Sequence, residues 1–501
     1  MKSGSELLTP DLVRGLLVQE IASYLETPPS EIKCDILLSE YGLDSVYALA
    51  VCAAIEDRFE LSLDPVIMWD YPTVDALADL LVGLIAGGLG GRSPGAIGEA
   101  RSLPAGRLAQ EAAALPADIV PGVVGAPVAQ PPYQAILVTG ATGFAGGFLL
   151  HELLTRSSAV VFTLVRAQDG TDALNRVRKN LDSYGLWDDS FESRLTGVAG
   201  DLALPRLGVS DQDYEKLSEQ IEMIVHNGAV VSFVQSYDQL KPANVLGTTE
   251  ILRLACRGRM KPVHFVSSMG VHAEPEGVHH YPEAPLPEDP GCLVGGYRQS
   301  KWVADRLVSA AGERGLPVSI YRPGNIMGAQ TTGVVGPDQI VNALLKGCLQ
   351  LGVAPEWDIQ LLLVPVDFFA AATAHNALAG RAHGRVYHLP GARPVPWHDV
   401  IGMLTACGYP VRRVLYRDWL RQVRDAGPAN AMAPYLPLFG ADAPSADLAT
   451  GGHHPRVETA AMAGALHATG ITCRAVDQEL LGLYLGHLAA TGYLTPPARL
   501  S

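Results

Sequence analysis

The sequence is poor in lysine, with eight in 501 residues, and its seven cysteines form no C-x-x-C pair. Cysteines 34, 52, 256, 292, 348, 407 and 473 are scattered and odd in number. That usage excludes a disulfide framework and a cysteine zinc site, and fits a reducing, cytoplasmic setting. No metal site is expected: the pairs His279–His280 and His453–His454 lack further ligands at useful spacing. Positive charge is also scarce, with 37 Lys and Arg against 52 Asp and Glu and a formal net charge of −15. A general polyanion binder needs clustered cations, so that class is excluded. Long hydrophobic runs are missing too. The most apolar stretches, 80–89 and 361–374, are short or broken by Gly, Pro365 and Asp367, so no membrane span is expected. The first residues show no basic-then-apolar leader, and acidic residues begin at Glu6.

What is present describes globular domains: 48% hydrophobic and 18% charged residues, over a length that suggests two or three units. The negative charge is concentrated at the start. Residues 6–86 hold 15 acidic residues against Arg14, Lys33 and Arg58, a balance of 3 − 15 = −12. Such a field favours docking to basic surfaces on other proteins.

Residues 6–86 read as an all-α bundle. "DLVRGLLVQEIASYL" places Leu12, Leu16, Ile21 and Leu25 at helical spacing, a second helix is expected from Ser45, and "PVIMWDYPTVDALADLLVGLI" supplies the rest. Residues 87–132, rich in Gly, Ala and Pro, read as a flexible linker, whose full extension would exceed 100 Å at about 3.3 Å per residue. From Tyr133 the pattern changes. "QAILVTG", "AVVFTLVR", "RLTGVAGD", "EMIVHNGA", "KPVHFVSS" and "PVSIYRPG" are short β-rich runs separated by helical segments. That alternation predicts an α/β doubly wound parallel sheet over 133–330, followed by a smaller mixed α/β substrate-binding or lid region over 331–501.

The first strand runs into "TGATGFAGGFLLHELL", with Gly140, Gly143 and Gly146 between strand and helix. A tight turn, close approach to a pyrophosphate and close helix packing each call for a residue without Cβ. The helix N-terminus then offers N–H groups to the anion. Twenty residues after Gly146 the second strand ends in "TLVRA". An acidic residue there would hold a ribose hydroxyl, whereas Arg166, helped by Arg176, suits the 2′-phosphate of NADPH. Further on, "GGYRQSKWVADRL" sets Tyr297 and Lys301 one helical turn apart on one face. An ammonium there lowers the phenol's pKa and prepares it as a proton donor. Upstream, "HFVSSMGV" ends a strand with Ser267 and Ser268, where a hydroxyl can hydrogen-bond a substrate oxygen.

In order, "TGATGFAGG", "LVRA", "GDL", "HNGA", "NVLGT", "VSS", "YRQSK" and "RPGNIMG" resemble the extended short-chain dehydrogenase/reductases. More narrowly they look like thioester reductase domains at the ends of polyketide and nonribosomal peptide synthases, and like carboxylic acid reductases. The resemblance implies a catalytic Ser268, Tyr297 and Lys301. It implies a cofactor lying along Gly140, Thr142, Gly143, Phe144, Ala145 and Gly146. Asp201 and Leu202 would line its adenine, and Asn227, Gly228 and Ala229 would follow the fourth strand beside it. Asn244 would join this set while supporting the lysine through the helix behind it, and Tyr297, Lys301 (on the ribose hydroxyls), Arg322, Pro323 and Gly324 would complete it.

Residues 6–86 in turn resemble an acyl or peptidyl carrier protein, on "GLDSVYALAVCAAIEDRF" and "MWDYPTVDALADLL". The resemblance implies that Ser45 receives 4′-phosphopantetheine from a phosphopantetheinyl transferase, its phosphodiester lying against a positive helix end. Together the halves imply NADPH-dependent reductive release of a carrier-bound acyl thioester as an aldehyde, with a second reduction giving an alcohol. The cargo would come from an upstream synthase or acyl-activating ligase. Two other readings stand beside this one: a sugar-nucleotide epimerase or dehydratase of the same fold, and a non-catalytic carrier and docking protein.

Overall fold

A computed structural model describes residues 10–24, 27–36, 38–41, 51, 55, 71, 73–86, 102–121, 128–233, 235–272, 280–291, 293–337, 339–380, 384–439 and 456–497. In the N-terminal unit, α1 (Pro10–Tyr24) begins with Pro10 and Asp11, residues suited to a helix start. It buries Val13, Leu17 and Ile21 at four-residue spacing. α2 (Val74–Ala86) follows Thr73, whose Oγ1 accepts the Ala76 N–H at 3.2 Å as an N-cap. Val74, Leu77 and Leu81 join α1, Ile32, Leu38, Val51 and Ile55 in one small core. Val51 and Ile55 are helical and four residues apart, consistent with the expected second helix. Ser45 itself lies outside the described residues.

The stretch expected as a flexible linker is corrected over 102–121, which fold onto the main unit. α3 (Ala105–Ala112) buries Leu108 and Ala112, and Leu115 and Ile119 continue into the same core. This strap is latched at both ends. Leu103 N–H donates to Gln299 Oε1 at 2.8 Å while Gln299 Nε2 donates to the Leu103 carbonyl at 2.9 Å. Gly295 N–H donates to Ser102 Oγ at 2.9 Å, and Lys241 pairs with Glu111 at 2.8 Å. Arg314 donates to the carbonyls of Leu115 and Pro116 at 2.9 and 2.7 Å. Composition hid this, because four apolar residues spaced for one face suffice when a core already waits for them.

The main unit is wound around seven parallel strands. They are β1 (Ala135–Thr139), β2 (Val160–Val165), β3 (Leu195–Ala199), β4 (Met223–His226), β5 (Val263–Val266), β6 (Val318–Pro323) and β7 (Arg385–Leu389). Their spatial order is β7-β6-β5-β4-β1-β2-β3, all neighbours parallel. The order reverses between β1 and β4, which opens a crevice at the carboxyl ends of those strands. All six strands expected from the sequence are present. β7 comes from within the region expected to be a separate C-terminal unit, so that boundary does not divide the sheet. A second core unites Trp397, Trp419, Tyr435, Phe439 and Tyr484 with Leu344, Leu361 and Leu480. Trp357 stacks on Phe439 there at 5.9 Å.

The candidate active site

The glycine turn follows β1 and leads into α4 (Phe144–Arg156). Gly140 has φ +74°, and a Cβ on it would meet the Gly228 backbone at 2.8 Å. A Cβ on Gly146 would lie 1.9 Å from the Gly140 carbonyl oxygen. Both glycines are therefore required by close backbone approach. Gly143 differs: it caps α4, is exposed beside Thr142, and a Cβ there would meet only Gly140 O at 3.5 Å. Phe144 is buried, and Asn180 Nδ2 fixes the turn by donating to the Ala141 and Gly143 carbonyls at 3.0 and 3.2 Å. No side chain caps α4, so its first N–H groups, including that of Ala145, face outward as anion donors. These features fit a dinucleotide pyrophosphate.

Arg166 is exposed at the end of β2, and its carbonyl accepts from Arg176 Nη1 at 2.8 Å. Arg176 thus braces Arg166. Asp201 Oδ1 accepts the Ala203 N–H at 2.8 Å, shaping the turn after β3. The Leu202 side chain fills the space beside Gly228, where a Cβ would meet its Cδ1 at 2.8 Å. Asn227 Nδ2 reaches the underside of the glycine turn, 2.9 Å from where a Gly140 Cβ would stand. Ala229 continues the same half-buried loop.

A buried relay that the sequence did not reveal links this loop to the far side of the site. Gly228 N–H donates to Thr139 Oγ1 at 2.8 Å, and Thr139 Oγ1 meets His226 Nδ1 at 2.8 Å. His226 Nε2 meets Thr248 Oγ1 at 3.0 Å, and that hydroxyl donates to Asn244 O at 2.7 Å. With both hydroxyl protons assigned this way, the ring donates through Nε2 and accepts at Nδ1. Burial, then the Lys301 charge, pushes His226 down to about 3, so it stays neutral. Thr139 and His226 are opposite each other in the β1–β4 register, and only knowledge of that pairing joins them.

Ser268 follows β5, while Tyr297 and Lys301 lie on α5 (Gly296–Glu313). Lys301 is buried, its Nζ donating to Val266 O at 2.7 Å and standing 4.3 Å from the Phe265 ring centre. Burial pushes its ammonium down to about 7, against an opposing pull from Asp305. Tyr297 is half-buried, with Phe233 edge-on at 5.6 Å. Ser268 Oγ accepts the Gly270 N–H at 3.0 Å.

Two residues expected at the cofactor have their polar groups occupied by protein partners. Asn244 is buried in a π-helical turn over Pro242–Leu246, where Oδ1 accepts from Val230 N at 2.8 Å. Its Nδ2 donates to Val230 O and Ser300 Oγ, each at 3.0 Å, which uses both amide protons. Ser300 Oγ donates to Tyr297 O at 2.8 Å, so Asn244 braces the helix that carries Tyr297 and Lys301. Arg322 is fully buried and forms a two-bond ion pair with Asp305, both contacts 2.9 Å. Its remaining nitrogen donates to Ala284 O at 3.0 Å. A buried guanidinium needs such partners, and none of its charge is directed at the crevice. Pro323 ends β6, and Gly324 N–H donates to Leu389 O at 3.0 Å, so this segment ties β6 to β7. Among the described residues no group of three or more His, Cys, Asp or Glu is placed to hold a metal ion. No described helix is long and apolar enough to cross a membrane.

The sheet order and the glycine turn at its switch point define a dinucleotide-binding fold of the short-chain dehydrogenase/reductase kind. The family described as "Male sterility protein" matches residues 138–373, and "Phosphopantetheine attachment site" matches residues 15–81. The terminal R domain from the myxalamid PKS-NRPS biosynthetic pathway is 38% identical, with a TM-score of 0.72, covering 79% of this chain and 100% of that one. The chain therefore belongs to the terminal reductase domain family, with a carrier domain in front. A linear gramicidin synthase of Brevibacillus parabrevis is 34% identical over 91% of this chain and 9% of its own length. The L-2-aminoadipate reductase large subunit of Penicillium chrysogenum is 35% identical over 72% of this chain and 28% of its own length. The chain thus spans a minor part of these curated relatives.

Proposed function

We propose that the protein releases a phosphopantetheine-bound acyl or peptidyl chain by NADPH-dependent reduction to an aldehyde, and onward to an alcohol, in natural-product biosynthesis. The observation that carries this reading is the pairing, in one chain with a carrier domain, of the glycine turn with the buried Lys301 behind Tyr297. The thioester would be held on Ser45 or on another carrier. Arg166, braced by Arg176, would hold the 2′-phosphate, and the first turn of α4 the pyrophosphate. Bound there, NADPH supplies the hydride.

The chain's own groups manage the charge that develops on the substrate oxygen. Ser268 Oγ already accepts a backbone N–H, which leaves its own proton to donate to that oxygen. Tyr297 donates the proton that gives a hemithioacetal, whose collapse breaks the C–S bond, expels the pantetheine thiol and releases the aldehyde. Lys301, one turn along the same helix, favours the phenolate left behind. Asn244 and Ser300 hold the helix backbone at Tyr297 from behind.

The partners that follow are a phosphopantetheinyl transferase acting on Ser45 and an upstream synthase or acyl-activating ligase, all in the cytoplasm. Tyr297→Phe is expected to lower turnover of an acyl-pantetheine thioester by roughly 10²- to 10⁴-fold. Mass spectrometry should still find the pantetheine adduct on Ser45 in that variant. Undiminished NADPH oxidation would remove Tyr297 from the mechanism. Product analysis of the loaded protein after adding NADPH separates aldehyde from alcohol.

A further inference from the structure

The turn that carries Ser268 is held by a residue with no role in the mechanism above. Arg298 follows Tyr297 on α5, yet its side chain is 6% exposed and leaves the helix for the turn after β5. Its Nε donates to Gly270 O at 2.7 Å and its Nη2 donates to His272 O at 2.8 Å. Between the guanidinium and the Ser268 hydroxyl lies Gly270, whose N–H donates to Ser268 Oγ. A Cβ on Gly270 would meet Ser268 Oγ at 3.3 Å and Arg298 Cγ at 3.7 Å. The arginine, the glycine and the serine hydroxyl therefore form one packed stack. His272, at the far end of the turn, is fixed in addition by stacking on Tyr281 at 4.3 Å.

We infer that Arg298 is a positioning residue that acts through Gly270 to aim the Ser268 hydroxyl at the substrate oxygen. The inference rests on the reductive reading of this site. A guanidinium suits the task because its planar fork holds two carbonyls at once and is always charged. Charge-assisted bonds to those carbonyls are strong in a buried setting, so the turn has one arrangement. The Gly270 N–H occupies one lone pair of Ser268 Oγ, and the hydroxyl proton is then left to point outward. Because Arg298 adjoins Tyr297 in the chain, one residue ties the serine turn to the tyrosine helix. The spacing of the two oxyanion donors is set by that tie. A lysine cannot replace it, since a single ammonium on a flexible stem does not hold two carbonyls in a fixed fork.

The test is a double-mutant cycle on the full chain, with NADPH and a free acyl-pantetheine thioester as substrates. Arg298→Lys is expected to lower kcat about tenfold, with the KM for NADPH unchanged. Ser268→Ala lowers kcat as well, and adding Arg298→Lys to it is expected to cost nothing further. Gly270→Ala, which presses on the serine from the other side with Arg298 intact, should show the same kcat loss and the same silence in the Ser268→Ala background. Multiplying losses in the double variants would overturn the inference, as would an Arg298→Lys enzyme with unaltered kcat. A fully active Ser268→Ala enzyme would remove the serine from the reaction and Arg298 with it, while Tyr297→Phe would still report on the reductive reading.

Discussion

Lys301 directs its ammonium at one backbone carbonyl, Val266 O at 2.7 Å, from a buried site beside the Phe265 ring. Burial therefore pushes it down to about 7 from 10.5. In the unfolded chain the lysine stays protonated up to about 10.5, so between pH 7 and 10.5 the unfolded state binds more protons. Stability must then rise with pH across that window, by roughly 3–5 kcal/mol from this group, and be flat with respect to it below pH 7. Lys301→Met should remove that rise and be more stable than the parent at pH 6, as read from urea midpoints at a series of pH values. His226 follows the same linkage in a lower pH window. It is neutral when folded and pushed down to about 3, so its relay weakens the fold as pH falls from 6.5 toward 3. Neither residue announces its environment in sequence. The helical spacing of Tyr297 and Lys301 was legible, but the depth of the lysine depends on β5 passing directly beneath it.

At the scale of elements, the glycine turn separates fold from binding. Gly146 lies where a Cβ would collide with Gly140 O, whereas a Cβ on Gly143 would stand in nearly open space. Gly146→Ala is expected to cost about 1–3 kcal/mol or more through forced backbone movement. Gly143→Ala should stay within about 0.5 kcal/mol of the parent and yet weaken NADPH binding, since its methyl would enter the phosphate cradle. Thermal unfolding beside fluorescence titration with NADPH distinguishes the two. This turn was readable because its glycines serve local geometry that any such strand–helix junction needs. The six strands from Ala135 to Pro323 were readable for a similar reason, as short apolar runs, all but the edge strand β3 (Leu195–Ala199) largely buried. β7 was not, since "RVYHL" follows a helix in a stretch crowded with Pro and Gly and gains its identity only by pairing with β6. The same is true of Arg322 and Asn244. Which way each side chain turns is decided by Asp305 in one case and by Val230 and Ser300 in the other.

For the whole molecule, the strap over 102–121 alters how the two units are joined. The carrier's last helix, α2, ends at Ala86, and the strap is fixed to the catalytic helix from Ser102 onward. Fifteen residues, 87–101, therefore lie between them in place of the 46 of 87–132. Fully extended, fifteen residues span about 50 Å, well short of the reach expected of the longer linker. Ser102 and Leu103 bond to Gly295 and Gln299, the residues two before and two after Tyr297. Effective concentration falls roughly as the −3/2 power of tether length, so shortening a flexible tether from 46 residues to fifteen would raise local concentration about fivefold. Leu108→Asp, which places a charge in the strap's buried face, should lower turnover of the carrier-bound thioester about fivefold relative to turnover of the free one. An unchanged ratio, measured by single-turnover kinetics with both substrates, would show that the latch does not govern delivery. For cargo carried on this chain's own Ser45, the strap would convert part of a search in solution into a first-order encounter, whose rate is independent of how much protein is present.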